Sequence, residues 1–256
     1  MIHLDVAFLP SELAAKSLHS ALAVVIDVVR ATTTITTALA QGCAFVLPVL
    51  HIEEAFELQR QYAQEPHRPL LGGERGGQRV EGFDLGNSPR EYTSEVVKNK
   101  GIIFSTTNGT RTLLALKEAA PILIGSFLNI SAICQYILRH PFQDQRNPVI
   151  LACSGVVNTF SLEDAVCAGM FVHFLSVAEP DISKTPAAMA AELLYTHYQA
   201  DLLAMLQNSD GGRRVARIGL AQDLVACVEV DKYPIVPIFH AGKIVLREES
   251  LLVESP

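Results

Sequence analysis

Residues 22–41 read LAVVIDVVRATTTITTALAQ and decide the fold. The first six residues form a short, β-rich apolar run, and the residues up to Gln41 are long enough for a helix that Gly42 can terminate. We therefore predict a buried strand, a loop and a helix, in that order. An aspartate directly after Val-Val-Ile would lie at the carboxyl end of this strand, which makes Asp27 the first candidate site residue.

The same strand-then-helix order recurs along the chain. Further apolar runs that we interpret as strands are AFVLPVL (44–50), PLLGG (69–73), GIIFS (101–105), PILIGS (121–126) and NPVILAC (147–153). This order predicts an α/β fold, with a mainly parallel sheet sandwiched between helices in three α/β/α layers. Pro48 places the second of these strands at a sheet edge or near a strand end. YPIVPIF and KIVLREE predict a final hairpin or a pair of edge strands.

Composition excludes several classes of function. The chain has 256 residues, 49% of them hydrophobic and 18% charged, which is typical of a well-packed globular protein. No apolar run approaches the roughly 18 residues that a membrane span needs, and MIHLDVAFLPSELAAK at the start lacks a signal-peptide pattern. A net charge of −7 without a basic block argues against nucleic acid. Any anionic ligand therefore needs a local cluster of positive groups.

Cysteine content and the distribution of apolar runs set the remaining expectations. Five cysteines without a CxxC pair favour reduced thiols and a cytoplasmic protein. We expect a single domain over residues 1–256, with a helical excursion near 178–210. We also expect a small anionic substrate as its partner, with no nucleic acid and no membrane; a homo-oligomer stays an open alternative.

The third strand opens into the glycine-rich stretch LGGERGGQRVEGFDLGNSP (71–89). Its six glycines would let the backbone approach a ligand closely, and acidic residues and arginines are interleaved with them. Phe83 and Leu85 on either side of Asp84 indicate that this loop folds back onto the body of the protein. We take Glu74, Arg75 and Asp84 as candidate site residues, although an ordinary Ω-like loop would show the same glycines.

A second candidate loop is STTNGTRTL (105–113), after the strand that contains Phe104. Asn-Gly alone predicts a turn. If a helix begins near Gly109, however, the loop would present N–H groups, hydroxyls and a guanidinium to an anion. In the same way, Thr32 is either a simple helix cap or an anion ligand. The candidate substrate-binding residues are Arg30, Thr32, Arg75, Thr107, Asn108, Gly109, Thr110 and Arg111.

Other catalytic patterns are missing or weak. The chain has no GxxxxGK[ST], no GxGxxG after a strand and no HExxH. Cys153 in ACSGVVNTFSLEDA could be a nucleophile, but a small buried residue at a strand end explains it better. Ser161 and Asp164 resemble a capping box, which is mainly structural. The remaining set of carboxylates, arginines and hydroxyls favours Mg²⁺, which bridges carboxylates and substrate phosphate.

Three stretches together resemble the 2-phosphosulfolactate phosphatase family: IDVVRATTTITTAL (26–39), GGERGGQRVEGFDLGNSP (72–89) and STTNGTRTL (105–113). The resemblance extends over ILACSG, FSLEDAVCAG and, more loosely, GLAQDLVACVEVDKYPIVP. It implies Mg²⁺-dependent hydrolysis of (R)-2-phospho-3-sulfolactate to 3-sulfolactate and phosphate, a step of coenzyme M biosynthesis, by a single α/β/α domain. A related 2-phosphohydroxy acid is an alternative substrate. The chain departs from the family pattern mainly by carrying Arg213 and Arg214.

These observations assign roles to the candidate residues. Asp27, Glu74 and Asp84 are expected to bind Mg²⁺ and to serve catalysis, one of them as nucleophile or as the group that activates it. Asp27 and Glu74, 47 positions apart, should meet at one edge of the sheet, and Arg111 should complete the anion pocket. The alternative function is a non-hydrolytic protein that binds a phosphorylated or sulfonated metabolite.

Overall fold

The computed structural model describes residues 2–62, 68–140, 148–157 and 159–246. Its strands are β1 (His3–Ala7), β2 (Leu22–Ile26), β3 (Phe45–Pro48), β4 (Leu70–Arg75), β5 (Gln78–Arg79), β6 (Gly101–Ser105), β7 (Ile122–Gly125), β8 (Pro148–Cys153), β9 (Ser183–Lys184), β10 (Pro237–His240) and β11 (Lys243–Leu246). Its α-helices are α1 (Ala31–Ala40), α2 (Ile52–Gln61), α3 (Ser94–Val97), α4 (Gly109–Ala115), α5 (Ile130–Arg139), α6 (Leu162–Ala178), α7 (Pro186–Tyr198), α8 (Leu202–Asn208), α9 (Asp210–Arg217) and α10 (Gln222–Cys227). Short 3-10 helices cover Pro10–Ala15, Pro89–Glu91 and Phe127–Asn129.

These strands form one mixed sheet in the order β5-β4-β6-β3-β11-β10-β7-β2-β8-β1-β9. Most neighbours are parallel, as predicted. Successive residues of β2 point to opposite faces: Val24 belongs to one buried cluster and Val25 to another. A sheet with a helix-covered core on each face is the predicted α/β arrangement, which is confirmed.

The C-terminal hairpin of β10 and β11 lies in the middle of the sheet. The hairpin itself was predicted, but the edge position was wrong, because β10 pairs with β7 and β11 pairs with β3. Ile244 is fully buried, and Ile238 and Phe239 pack against different clusters, so the hairpin has apolar neighbours on both faces. β3 is consequently a central strand, and Pro48 is tolerated because it is the last residue of that strand.

The sheet is curved, and this curvature builds the site. Three antiparallel pairings separate β3, β6 and β4 from β7, β2 and β8, so the two groups of strands run in opposite directions along the ladder. In a flat sheet, the carboxyl ends of β2 and β6 would lie at opposite edges. Gly109 nevertheless adjoins Asp27, since a Cβ at Gly109 would lie 3.1 Å from Asp27 Oδ2. Twist and curvature of the sheet therefore bring these two ends together.

Helix α1 is buried on all sides from residue 31 to residue 39, which explains its threonines. A buried hydroxyl needs a hydrogen-bond partner. Thr33 donates to the carbonyl of Val28 at 2.8 Å, Thr37 donates to the carbonyl of Thr33 at 2.9 Å, and Thr34 donates to the carbonyl of Asn87 at 3.0 Å. These threonines thus hold the helix and its neighbouring loops in place, and do not form a row of anion ligands.

The loop and excursion predictions fare as follows. Phe83 and Leu85 are buried, so the glycine-rich loop does fold back onto the body. Helices α7 and α8 occupy most of the range 178–210, where a helical excursion was expected. Ser88 is not a side-chain cap; its hydroxyl donates to Asp223 Oδ1 at 2.7 Å. None of the helices in the described ranges is long and apolar enough to cross a bilayer.

Close packing of α6 on α7 gives a test of the fold. A Cβ at Gly169 would lie 1.9 Å from the carbonyl oxygen of Ala191, so Gly169→Ala must push the two helices apart. We expect this variant to lose about 1–3 kcal/mol of unfolding free energy, as overpacked cores typically do. Urea unfolding measures the loss. Ala190→Ser, at an exposed position of α7, is the control and should change the free energy by less than about 0.5 kcal/mol. Equal stability of both variants would contradict the packing described.

Candidate active site

A cavity of about 140 Å³ lies where the segments after β2, β4 and β6 meet. Asp27 and Glu74 both line it, so the structure brings together the two carboxylates that the sequence analysis expected to meet. The physical reason differs from the expected one. They do not emerge from neighbouring strands of one flat sheet edge, but converge because the sheet curves.

Asp27 is fixed at the starts of two helices. Its backbone N–H donates to the Thr32 hydroxyl at 3.1 Å, and its Oδ1 accepts from the Ala31 N–H at 3.5 Å, at the start of α1. Its Oδ2 faces Gly109, the first residue of α4. Burial, followed by the negative charge of Glu74, raises the pKa of Asp27 to about 7, although the Ala31 and Gly109 N–H groups oppose this shift. A carboxyl group with this pKa can change its charge near neutral pH.

Glu74 is held by the backbone on both sides. Its Oε1 accepts from the Thr107 N–H at 2.8 Å, and its Oε2 accepts from the Gly77 N–H at 2.7 Å. These two bonds join the glycine-rich loop to the loop after β6. Each oxygen retains a further lone pair for another partner.

Arg30 lines the same cavity, but a buried ion pair already occupies part of its guanidinium. Nη1 donates to Asp223 Oδ2 at 2.7 Å, and Nη2 donates to the carbonyl of Gly77 at 2.5 Å. Arg30 is 2% exposed and Asp223 is fully buried. Arg30 therefore holds the loop that also fixes Glu74. Asp223 was missed, because only the loosest of the quoted family stretches, GLAQDLVACVEVDKYPIVP, contains it.

Three candidates from the sequence are not brought to the cavity. Arg75 donates to the carbonyls of Glu74, Leu50 and Ser105 and to the Ser105 hydroxyl, so it braces the backbone. Asp84 accepts from the N–H of Leu71, at the start of β4, which is the end of the strand remote from Glu74. Arg111 is exposed on α4 and does not line the cavity. The loop folds back as expected, but it returns to the wrong end of β4 to deliver Asp84.

The remaining candidates of the second loop lie at or behind the wall of the cavity. Thr107 and Asn108 line it, and Asn108 Oδ1 accepts from the Val157 N–H at 3.4 Å. Thr110, like Thr32, is buried in the first turn of a helix behind the wall. Both threonines therefore support the site and do not line it.

Two further residues of the cavity were missed. Asn87 Oδ1 and Thr106 Oγ1 are buried and have no hydrogen-bond partner in the described parts of the chain. Buried polar atoms normally have partners, so unpaired ones in a cavity wall are suited to a polar ligand. Both lie within motifs that had been singled out, but the sequence gave no reason to prefer them to their neighbours.

Helix α6 adds two more buried carboxylates. Asp164 Oδ1 accepts from the Val28 N–H at 2.9 Å and its Oδ2 from the Gly155 N–H at 3.2 Å, so it joins the loops after β2 and β8. Burial, with the charges of Asp27 and Glu163, raises the pKa of Asp164 well above its usual range. Ser161 does cap α6, as predicted, by accepting from the Asp164 N–H.

The charge balance of the buried site is strongly negative. Among the described residues, five carboxylates are buried: Asp27, Glu74, Glu163, Asp164 and Asp223. Arg30 is the one buried cation in the same ranges. Burial of charge is costly unless it is compensated. The excess of negative charge around the cavity therefore favours a bound cation.

The site fits a magnesium ion held by two carboxylates. Within the described residues, no three His, Cys, Asp or Glu side chains converge into a complete metal-binding set. Mg²⁺ does not require one, because it takes one or two carboxylates and completes its shell with water and substrate phosphate. Asp27 and Glu74, in one cavity wall, are the residues that would hold it; the position of Asp84 gives no support to its expected role as a ligand.

Cys153 does not take part in this chemistry. It is fully buried at the end of β8, as expected, and all five cysteines are free. Burial and the neighbouring Asp164 raise the pKa of its thiol well above the usual range. A neutral, buried thiol is a poor nucleophile.

Comparison with known proteins agrees with the resemblance found in the sequence. The profile of the 2-phosphosulpholactate phosphatase family matches residues 7–242. A protein of Symbiobacterium thermophilum named "Probable 2-phosphosulfolactate phosphatase" is 39% identical over 91% of this chain and 97% of its own length. Proteins of the same name from Carboxydothermus hydrogenoformans and Clostridium acetobutylicum are each 38% identical, over 98% and 87% of this chain and 97% and 91% of their own lengths.

The match thus includes every segment that contributes to the cavity: the loops after β2, β4, β6 and β8, and helix α9. With the family profile covering nearly the whole chain and full-length relatives close to 40% identical, this chain belongs to the 2-phosphosulpholactate phosphatase family, a family of phosphoric monoester hydrolases.

Proposed function

We propose that the protein is an Mg²⁺-dependent phosphatase that hydrolyses 2-phospho-3-sulfolactate, or a closely related 2-phosphohydroxy acid, to the hydroxy acid and phosphate. The observation that carries this proposal is the cavity in which Asp27 and Glu74 meet, with an excess of buried negative charge around it. The names of the relatives supply the substrate class. A cytoplasmic location and a step in coenzyme M biosynthesis belong to the same proposal.

The residues of the cavity divide the work by position. When bound, Mg²⁺ would act as a Lewis acid that neutralises charge on the phosphoryl oxygens. Glu74, with both oxygens fixed by backbone N–H groups, is preorganised as a ligand. Asn87 and Thr106 offer unpaired polar atoms to the substrate. Each of these groups is fixed before substrate arrives, so little reorganisation opposes binding.

Asp27 is the residue on which catalysis depends in this proposal. It lies at the starts of α1 and α4, and the N–H groups there favour its ionised form. An ionised Asp27 can attack phosphorus or hold the ion and water that attack in its place. In both cases the reaction needs its negative charge, which an amide cannot supply.

Phosphate release tests the function directly. Purified protein is incubated with 2-phospho-3-sulfolactate and with 2-phospholactate, after exhaustive chelation and again after Mg²⁺ is added back. We expect no release without the cation and full release on readdition. Undiminished turnover by metal-free protein would contradict the metal requirement, and binding of both compounds without any turnover would identify a non-hydrolytic binding protein.

A matched pair of aspartate substitutions tests the placement of the site. Asp27→Asn should abolish turnover while circular dichroism and urea unfolding show an intact fold, because the amide keeps the shape and loses the charge. Asp84→Asn should keep kcat within a few-fold of the wild type, because Asp84 binds the Leu71 N–H at the far end of β4. An active Asp27→Asn enzyme, or an inactive and folded Asp84→Asn enzyme, would overturn this assignment.

A further inference from the structure

The cations expected to bind the substrate are largely occupied. The proposed substrate carries a phosphate, a carboxylate and a sulfonate, and this inference rests on the proposed function. Arg30 is paired with Asp223 and bonded to Gly77, and Arg75 donates to three backbone carbonyls. Arg111 lies outside the cavity. A cation at Asp27 and Glu74 could compensate the phosphate, but the second strong anion needs another partner.

Helix α9 supplies that partner. Arg214 lines the cavity that contains Asp27 and Glu74, and it also lines an adjoining cleft of about 390 Å³. Arg217, one helical turn further along α9, lines the same cleft. Val156 and Val157 border both spaces, so the cleft is continuous with the cavity.

The two arginines lack compensation. Arg213, their neighbour in the cleft, forms an ion pair with Asp210 at 2.7 Å. In the described ranges no carboxylate lies within ion-pair distance of Arg214 or Arg217. In a protein with a net charge of −7 and a buried site rich in carboxylates, two unpaired guanidinium groups at the mouth of the cavity form a distinct positive spot.

The start of α9 is fixed against the site. The Ser209 hydroxyl caps the helix by accepting from the Gly212 N–H at 3.0 Å. A Cβ at Gly211 would lie 2.0 Å from Glu163 Oε1, and one at Gly212 would lie 1.7 Å from the carbonyl oxygen of Leu206, so only glycine permits this approach. The arginines therefore project from a helix whose position relative to the buried carboxylates is defined.

We propose that Arg214 and Arg217 form the subsite that recognises the sulfonate of the substrate and so set its specificity. With the phosphate between Asp27 and Glu74, the sulfonate is the group farthest from phosphorus and reaches towards the cleft. A sulfonate presents three oxygens in a tripod, which two guanidinium groups can share, whereas a planar carboxylate is satisfied by one guanidinium fork. Arg214 contacts the substrate at the border of the two spaces, and Arg217 completes the subsite from the cleft.

Three substrates separate the groups that the arginines recognise. 2-Phospho-3-sulfolactate carries all three anions, 2-phospholactate lacks the sulfonate, and the phosphate ester of 2-hydroxyethanesulfonate lacks the carboxylate. We expect Arg214→Ala and Arg217→Ala each to lower kcat/KM by about tenfold to a hundredfold for the two sulfonates, as the loss of a charge-assisted hydrogen bond does. For 2-phospholactate the change should stay within about twofold. Arg139→Ala, an exposed arginine at the end of α5, is the matched control and should behave like the wild type with all three.

The other outcomes overturn the proposal in distinguishable ways. Equal losses with all three substrates would mean that the arginines bind phosphate or support the fold, and urea unfolding of the same variants separates these two. A loss confined to the carboxylate-bearing substrates would assign them to the carboxylate. Unchanged kcat/KM throughout would exclude them from recognition. If wild-type protein releases phosphate from none of the three substrates, the proposed function itself fails.

Discussion

Negative charge is buried at this site in excess of its compensation, and much of the structure serves to tolerate it. Five carboxylates are buried in the described chain against one buried arginine. The protein stabilises them with N–H groups: Glu74 accepts from Gly77 and Thr107, and Asp164 accepts from Val28 and Gly155. Each of these bonds also joins two separate loops. Charge and architecture are therefore coupled, because a loop that moved would leave a buried carboxylate without its donors.

The pairing of Arg30 with Asp223 shows how this coupling extends through the fold. Asp223 comes from α10, late in the chain, and holds both Arg30 and the Ser88 hydroxyl. Arg30 in turn holds the carbonyl of Gly77, whose N–H holds Glu74. The C-terminal helices thus do more than cover the sheet. They fix the glycine-rich loop, and with α9 they place positive charge at the mouth of the cavity.

The sequence predicted what is local and missed what depends on the path of the chain. The strand and helix on either side of Asp27 follow from a short apolar run and its neighbours, and they were predicted correctly. The burial of Phe83 and Leu85 was likewise readable from their apolar character. The end of β4 to which Asp84 returns was not, because it depends on how the loop closes. Arg75 looked like a ligand and instead donates to backbone carbonyls, since guanidinium groups suit both tasks.

Positions distant in sequence were the hardest to predict. Asp223 and Arg214 lie more than a hundred residues after Asp27 and join it only through the curvature of the sheet and the packing of α9 and α10. The antiparallel hairpin in the middle of the sheet reverses one group of strands, which no local pattern reveals. The meeting of Asp27 and Glu74 was expected from a simpler topology than the one observed.

The central claim is that Asp27 and Glu74 together hold a divalent cation. Anomalous diffraction from crystals soaked with Mn²⁺, as a substitute for Mg²⁺, tests this most directly. The account predicts one strong anomalous peak in contact with both carboxylates, and its loss in crystals of Glu74→Gln protein. Mn²⁺ bound away from the cavity, for example at Asp84, or a cavity without an anomalous peak at saturating Mn²⁺, would contradict it.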